Sequence, residues 1–176
     1  MKKIKKIRPV SQLEITYDRI YQEMSGIKLP KGCLDMLTYI VSELFANVKE
    51  HAFAKKIRIE MFIQSNIFYF TLADDGIGIR NSYLQSGIFA KDDRAAIELA
   101  VGGMSTKKTN ERAFGLFSTQ RLSGYVGGQM SIYSGNINAT FEKNKTGFER
   151  LKRKIKGVKV SVAIPLKAVN VYEVLY

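Results

Sequence analysis

The spacing of hydrophobic residues changes along the chain, and each spacing predicts a type of element. Apolar residues three and four apart predict one helix over residues 11–26 and a longer one over 30–52. Apolar residues then alternate with polar ones over 57–63, which is typical of a strand with one solvated face. A nearly continuous apolar run over 67–73 predicts a second strand, paired with the first as a hairpin.

The second half of the chain adds shorter elements of both kinds. These are helices over 92–101 and 116–126, a hairpin of strands 129–134 and 138–142 across Gly135-Asn136, and a last strand over 158–164. Most strands follow one another as antiparallel pairs. The pattern therefore predicts an α+β fold, a two-layer sandwich in which helices cover one face of a mixed, mostly antiparallel sheet.

The segment between the two halves is long and rich in Gly and Asp. Residues 74–114 contain only one predicted helix, and so long a connection is unusual in a compact domain unless it serves as a lid or binding loop. The predicted organisation is a basic N-terminal tail over 1–10, a single domain over 11–167 with a lid at about 80–114, and a C-terminal tail over 168–176.

Composition adds bounds to this picture. The 176 residues are 45% hydrophobic and 25% charged, which suits one folded domain. No apolar run approaches the roughly 20 residues of a membrane-spanning helix, so no such span is expected. Cys33 is the single cysteine, which excludes an internal disulfide and agrees with a reducing, cytoplasmic location.

The net charge of +12 resides in two segments. Residues 1–8 carry five basic side chains and no acid, and residues 143–159 carry eight with one acid. Nucleic-acid sites usually combine such charge with aromatic rings, and 143–159 contains only Phe148. The second segment is therefore predicted to be a solvated, mobile run, and the excess charge indicates an acidic partner or surface more than nucleic acid.

A row of polar residues lies on the long predicted helix. Glu43, Asn47 and His51 are spaced four apart, which confines them to a sector of about 80° along about 12 Å of the helix. The apolar stripe of the same helix is centred some 100° away from Glu43. The row therefore follows the rim of the buried face, where a cleft would open.

A second candidate site follows the apolar strand over 67–73. Asp74 stands at the strand end, where a carboxylate can accept hydrogen bonds from the amine of a base. Gly76 and Gly78 come directly after it, and glycines allow a ligand to approach the backbone closely. The chain then enters the long segment instead of returning as a strand.

A third candidate combines hydroxyls, a lysine and a helix start. Ser105, Thr106 and Lys107 follow a glycine pair, and Gly115 and Leu116 begin the next predicted helix. Backbone amides, hydroxyls, ammonium groups and helix N-termini all suit phosphate oxygens. The segment lacks the spacing of a P-loop.

Taken in order, these motifs resemble the GHKL ATPase superfamily, which contains gyrase, heat-shock chaperone, histidine kinase and mismatch-repair ATPase domains. The resemblance covers residues 30–166 and implies a Bergerat-type ATP-binding fold with a long lid. The helix sequence VSELFANVKEHA at 41–52 is similar to that of the anti-sigma-factor serine kinases.

The resemblance also implies roles for the adenine and metal residues. Asp74 matches the carboxylate that reads the adenine amine, and Asn47 matches the residue that helps to hold Mg²⁺. Gly76 and Gly78, with Ile79 after them, match the segment that lines the adenine pocket and starts the lid.

The remaining roles concern the phosphates. Glu43 matches the catalytic acid that orients or activates water in the hydrolysing members. Residues matched to the phosphate side or to lid closure are His51, Ser105, Thr106, Lys107, Gly115 and Leu116.

Three functions remain open at this point, with ATP and Mg²⁺ as the implied cofactors of the first two. The first is a regulatory protein kinase of the anti-sigma serine kinase type, acting on a protein partner. The second is an ATP-hydrolysing conformational switch of the gyrase or chaperone type. The third is a basic binding module without catalysis. A homodimer is compatible with each.

Overall fold

The computed structural model describes residues 3–104 and 115–175. In chain order the elements are β1 (Ile4–Pro9), α1 (Leu13–Ser25), α2 (Cys33–Asn47), a π-helical turn (Val48–Ala52), β2 (Lys56–Gln64), β3 (Ile67–Asp74), α3 (Ile79–Gln85), α4 (Asp93–Val101), α5 (Gly115–Tyr125), β4 (Gln129–Glu142), β5 (Lys145–Pro165) and α6 (Val171–Leu175). A short 3-10 turn, Val10–Gln12, links β1 to α1. The α+β class predicted from the sequence is confirmed.

The strands form one sheet in the order β1-β2-β3-β5-β4. Every pairing between strands of the described chain is antiparallel, so the predicted mixed character is wrong. The helices cover one face, where Phe68 and Phe70 of β3 pack with Met36, Leu37 and Ile40 of α2 in a common core. Alternation along β2 and β3 places the intervening residues on the opposite face.

The strand β4 folds back on itself. Gln129 Nε2 donates to Glu142 Oε1 at 2.9 Å, although 13 residues of straight strand would span about 43 Å. The bend lies at Gly135, which has a φ of 58° at the point where the register with β5 shifts. The two ends of β4 therefore approach each other, and the two strands predicted on either side of Gly135-Asn136 form one bent strand that pairs with β5.

The two basic segments are parts of the sheet. Residues 4–9, predicted as a tail, form the edge strand β1, which pairs with β2 from Ile4 opposite Met61 to Pro9 opposite Lys56. Residues 145–159, predicted as a mobile run, belong to β5. Both predictions were wrong because the apolar side chains between the charges supply enough alternation for a strand, and Lys and Arg at a sheet edge keep their charged ends in solvent.

The C-terminal region also differs from its prediction. Residues 171–175 form α6, and Val174 is buried with only 4% of its surface exposed. The helix packs against α5. The predicted tail over 168–176 therefore includes an element of the core.

Candidate functional site

A cavity opens between α2 with its π-helical turn, the end of β3, an inner stretch of β5, α3 and the start of α5. Its wall is largely apolar and includes Leu72 and Val160, whereas Asn47, His51 and Asp74 are among its polar groups. An apolar slot with few polar groups is typical of a site for a small organic ligand.

The cavity brings together most of the predicted site residues. Those in its wall are Asn47, His51, Asp74, Gly78, Ile79, Gly115 and Leu116. Glu43, one helical turn before Asn47, and Gly76 are not part of the wall formed by residues 3–104 and 115–175. The part of the predicted lid over 105–114 lies outside the described residues, and it contains Ser105, Thr106 and Lys107.

Asp74 is held in place by backbone groups at the inner end of the cavity. Gly76 N donates to Asp74 Oδ1 at 2.8 Å, and the backbone of Val158 also hydrogen-bonds to the carboxylate. Burial raises the pKa of Asp74 above its usual range, and these hydrogen bonds oppose the rise. A carboxylate that is fixed and poorly solvated gains strongly from a donor supplied by a ligand.

Gly157 makes room for this carboxylate. A Cβ at this position would lie 2.6 Å from Asp74 Oδ1 and 2.2 Å from the Asp74 carbonyl oxygen. Gly157 also has a φ of 71°, a conformation that side chains disfavour. The glycine at the start of the last strand pairing is therefore required by the position of Asp74.

The neighbouring carboxylate of Asp75 binds backbone N–H groups at the start of β2. Its Oδ1 accepts from the backbone N–H groups of Lys55 and Lys56, both at 2.8 Å. The hydrogen bond from Lys56 is the main reason that the pKa of Asp75 is lowered. Asp75 thus caps the start of β2, and two adjacent acids serve different purposes.

The π-helical turn joins the helix to the segment that follows β3. Ile77 N donates to Ala52 O at 2.9 Å, and Gly76 packs against that same carbonyl group. Phe53 ends the turn in the left-handed region, with a φ of 51°. This wider turn seats α2 against the end of β3 and so sets the distance between Asn47 and Asp74. π-helical turns occur frequently at functional sites.

Ser134 is a positioning residue that sequence reasoning missed. It is 2% exposed, and its hydroxyl accepts from Ile79 N at 3.0 Å. The bond holds the first residue of α3 directly after Gly78, whose dihedral angles (φ 82°, ψ 161°) are almost confined to glycine. No local signal could identify a serine 55 residues further along the chain.

Tyr83 is a second missed residue of the cavity wall. Its ring is 3% exposed, and its hydroxyl donates to the carbonyl oxygen of Met104. Burial raises the pKa of Tyr83 to about 12, so the phenol stays protonated at neutral pH. The side chain ties α3 to the residue at which the first described part of the chain ends.

Asn47 presents an unsatisfied amide beside the start of α5. A Cβ at Gly115 would lie 3.0 Å from Asn47 Oδ1 and 3.1 Å from Nδ2, so the amide packs directly on this glycine. Asn47 Nδ2 is buried without a hydrogen-bond partner in the described part of the chain. Because a flip exchanges the two ends of the amide, either end can serve a ligand.

Comparison with known proteins bears directly on this arrangement. Residues 33–168 match the family model HATPase_c, described as "Histidine kinase-, DNA gyrase B-, and HSP90-like ATPase". The match spans more than half of the chain and includes α2, Asp74 and the last strand pairing.

The chain belongs to this family.

A comparison with solved structures lists the histidine kinase domain from the Erythrobacter litoralis EL346 blue-light activated histidine kinase. It shares 17% sequence identity with the HATPase_c chain, at a TM-score of 0.39 and over 90% of the chain. The chain spans 61% of that domain's length. No curated protein matched the sequence. Across residues 3–104 and 115–175, no helix combines the length and apolar character that crossing a membrane requires.

Proposed function

We propose that this HATPase_c domain binds ATP together with Mg²⁺. The observation that carries the proposal is Asp74, a backbone-anchored carboxylate with a raised pKa in an otherwise apolar cavity. The exocyclic amine of adenine would donate to this carboxylate. Leu72, Val158 and Ile79 would contact the flat ring, which gains from leaving water for an apolar slot.

The phosphate side of the proposed site lies toward Asn47. A partnerless buried amide next to a glycine at a helix start fits a site in which one protein oxygen meets a metal ion and the phosphates complete its shell. Bound Mg²⁺ would neutralise phosphate charge during transfer. The backbone N–H groups at the start of α5 would face the same phosphates, because helix N-termini favour anions.

Substitution Asn47→Ala is expected to remove the magnesium dependence of ATP binding. The wild-type protein should bind ATP at least about tenfold more tightly with Mg²⁺ than with EDTA, the scale of one charge-assisted contact. Asn47→Ala should bind ATP equally with and without the metal. Isothermal titration calorimetry measures both affinities.

The matched control for this test is Asn170→Ala, which removes an amide that bonds Glu173 near α6. It should keep the full magnesium effect. A magnesium effect of wild-type size in Asn47→Ala would show that Asn47 does not hold the metal.

We further propose that the domain acts as a regulatory protein kinase, transferring the γ-phosphate of ATP to a serine or threonine of a protein partner in the cytoplasm. The support is the row formed by Glu43 and Asn47 on α2 and His51 in the π-helical turn, whose sequence is similar to that of the anti-sigma-factor serine kinases. Phosphoryl transfer depends on positioning and charge neutralisation more than on covalent participation by the protein.

Labelling of a partner tests this kinase proposal. Incubation with γ-labelled ATP and the product of a neighbouring gene should place label on a serine or threonine of that partner. The Asn47→Ala protein should give at least tenfold less label. A partner that forms a complex with the ATP-bound protein and stays unlabelled would contradict the kinase proposal and leave ATP binding intact.

The alternative is an ATP-hydrolysing switch with Glu43 as the catalytic acid. Glu43 is partly buried in α2 outside the described cavity wall, so the geometry offers this alternative less support.

A further inference from the structure

The sheet face opposite the helices is open, and it is strongly basic. Alternation along β2 buries Ile57 and Ile59 under the helices and leaves Lys56 and Arg58 exposed on the other side. Lys5 of β1 is exposed on that same side, paired with Glu60. No helix within residues 3–104 and 115–175 covers these positions.

Strand pairing places basic residues that are distant in sequence in neighbouring rows. Arg58 pairs with Ala73, which pairs with Lys159, and the next row carries Lys5. We call this surface the cationic face; it spans β1, β2, β3 and the second half of β5. In the described chain its basic side chains include Lys3, Lys5, Lys56, Arg58 and Lys159.

The acid within this face confirms how closely these charges are grouped. Lys3 hydrogen-bonds to Glu60 and lowers its pKa, and the charges of Lys5 and Lys159 lower it further. One carboxylate of β2 therefore lies in the field of basic residues from β1, from the residue before β1 and from β5.

Aromatic rings lie among these charges. Phe62 and Tyr69 stack across β2 and β3 with ring centroids 4.7 Å apart, and Lys3 Nζ lies 4.9 Å from the Phe62 ring. Lys159 Nζ lies 3.9 Å from the ring of Tyr133 on β4. Between the two aromatic groups the face carries small side chains such as Thr71 and Ser161, which hydrogen-bond to each other at 2.9 Å.

We propose that the cationic face binds single-stranded nucleic acid. Grouped ammonium and guanidinium groups suit phosphates, and aromatic rings beside them give bases a stacking surface. The small side chains of Thr71 and Ser161 between the aromatic groups leave space for an extended nucleic-acid strand. A second copy of the chain would bring the same positive charges together. An acidic protein would meet the small polar side chains of Thr71 and Ser161 at the centre of the face, whereas protein interfaces concentrate their binding energy at central aromatic and arginine residues.

The probe for this proposal is a fluorescent 12-nucleotide oligothymidylate, titrated without ATP in a series of salt concentrations. Fluorescence anisotropy should show binding that weakens steeply with salt, since each phosphate contact contributes about −0.7 to the logarithmic slope. The triple variant Lys5→Gln, Arg58→Gln, Lys159→Gln should lose at least tenfold in affinity and show a shallower slope.

The matched control removes three charges elsewhere. Lys28, Lys31 and Lys91 are exposed and lie off the cationic face, so their triple substitution by Gln changes the net charge equally. It should retain affinity within about twofold. Equal losses in the two triple variants would overturn the proposal, because binding would then follow net charge alone.

A stacking variant separates nucleic acid from an acidic polypeptide. Tyr69→Leu keeps an apolar side chain and should weaken oligothymidylate binding at least about fivefold, the lower end for one stacked base. Labelled 12-residue polyglutamate should bind at least tenfold more weakly than the oligonucleotide. Comparable polyglutamate affinity, no effect of Tyr69→Leu, or no oligonucleotide binding at low salt would each overturn the proposal. Thermal denaturation followed by circular dichroism in the same variants shows whether the domain remains folded, so this result is independent of the proposed nucleotide site.

Discussion

Substitution Asp74→Asn is expected to lower the affinity for ATP by at least about 100-fold. The carboxylate accepts from Gly76 N and Val158, and in the proposed complex it also accepts from the adenine amine. Asparagine offers one acceptor atom in place of two and turns an N–H donor toward another donor. Loss of a charge-assisted bond with a buried donor left unpaired is worth about 3 kcal/mol, which corresponds to this change in affinity.

The control for this substitution is Asp35→Asn, which changes the same chemical group in the first turn of α2, where the side chain is exposed. It should bind ATP as the wild type does. Calorimetric titration of both variants measures the difference, and unchanged affinity in Asp74→Asn would remove the basis for the adenine assignment.

The pH dependence of Asp74 gives an independent signature. Because burial raises its pKa in the folded protein, the folded state takes up a proton more readily than the unfolded state as the pH falls. The stability of the ligand-free protein should therefore increase as the pH falls from the raised folded-state pKa to the usual Asp pKa, below which the contribution is complete. The contribution is lost as the pH rises through the folded-state pKa.

Affinity and stability should move in opposite directions over that interval. The ratio of wild-type to Asp74→Asn affinity for ATP should fall on acidification, while the melting temperature of the wild type rises relative to the variant. Protonation of the phosphates cancels in the ratio. An affinity ratio that is independent of pH would contradict the role of the ionised carboxylate.

Among the substitutions proposed for this protein, Gly76→Ala should cause the largest loss of stability. It should lower the free energy of unfolding by about 3 kcal/mol or more. A Cβ there would lie 1.9 Å from the carbonyl oxygen of Ala52 and 2.7 Å from its carbonyl carbon. Both atoms belong to the backbone, and Ile77 N donates to the same carbonyl oxygen at 2.9 Å. A shift of Ala52 or of residue 76 would therefore strain this hydrogen bond. Urea denaturation measures the change.

Gly147→Ala is the matched control, because a Cβ at Gly147 has no atom within 4 Å and the residue has no positive φ. Its free energy of unfolding should stay within about 0.5 kcal/mol of the wild type. Equal stability of the two alanine variants would show that the π-helical turn and the segment after β3 are not in close contact.

Much of the site was accessible from the sequence because its residues occur within short motifs. Asn47 follows from helical spacing, and Asp74 follows from its place at the end of an apolar strand. The structure places both in one cavity with Gly115. The roles of all the site residues stay predictions. Glu43 lies off the described cavity wall, and Lys107 lies outside the described residues.

The contacts that complete the site were not accessible in this way. Ser134 supports Ile79 across 55 residues, and Gly157 leaves space for Asp74 from a strand that the chain reaches much later. Such pairs depend on strand order and register, which hydrophobic spacing within one segment does not encode. The sequence did not predict the π-helical turn for a related reason, because the turn depends on the contact of Ala52 with Gly76, 24 residues further along the chain.

By itself the sequence determined the α+β class, most of the helices and strands, and the residue types at the cavity, since local spacing and turn residues reflect local burial. Only the tertiary structure decided what the excess charge does. Residues 1–8 and 143–159 were predicted as a tail and a mobile run, yet β1 and β5 lie in one sheet. Pairing brings Lys5, Arg58 and Lys159 onto one face beside rings from other strands, and this grouping arises from strand register, which no single segment contains.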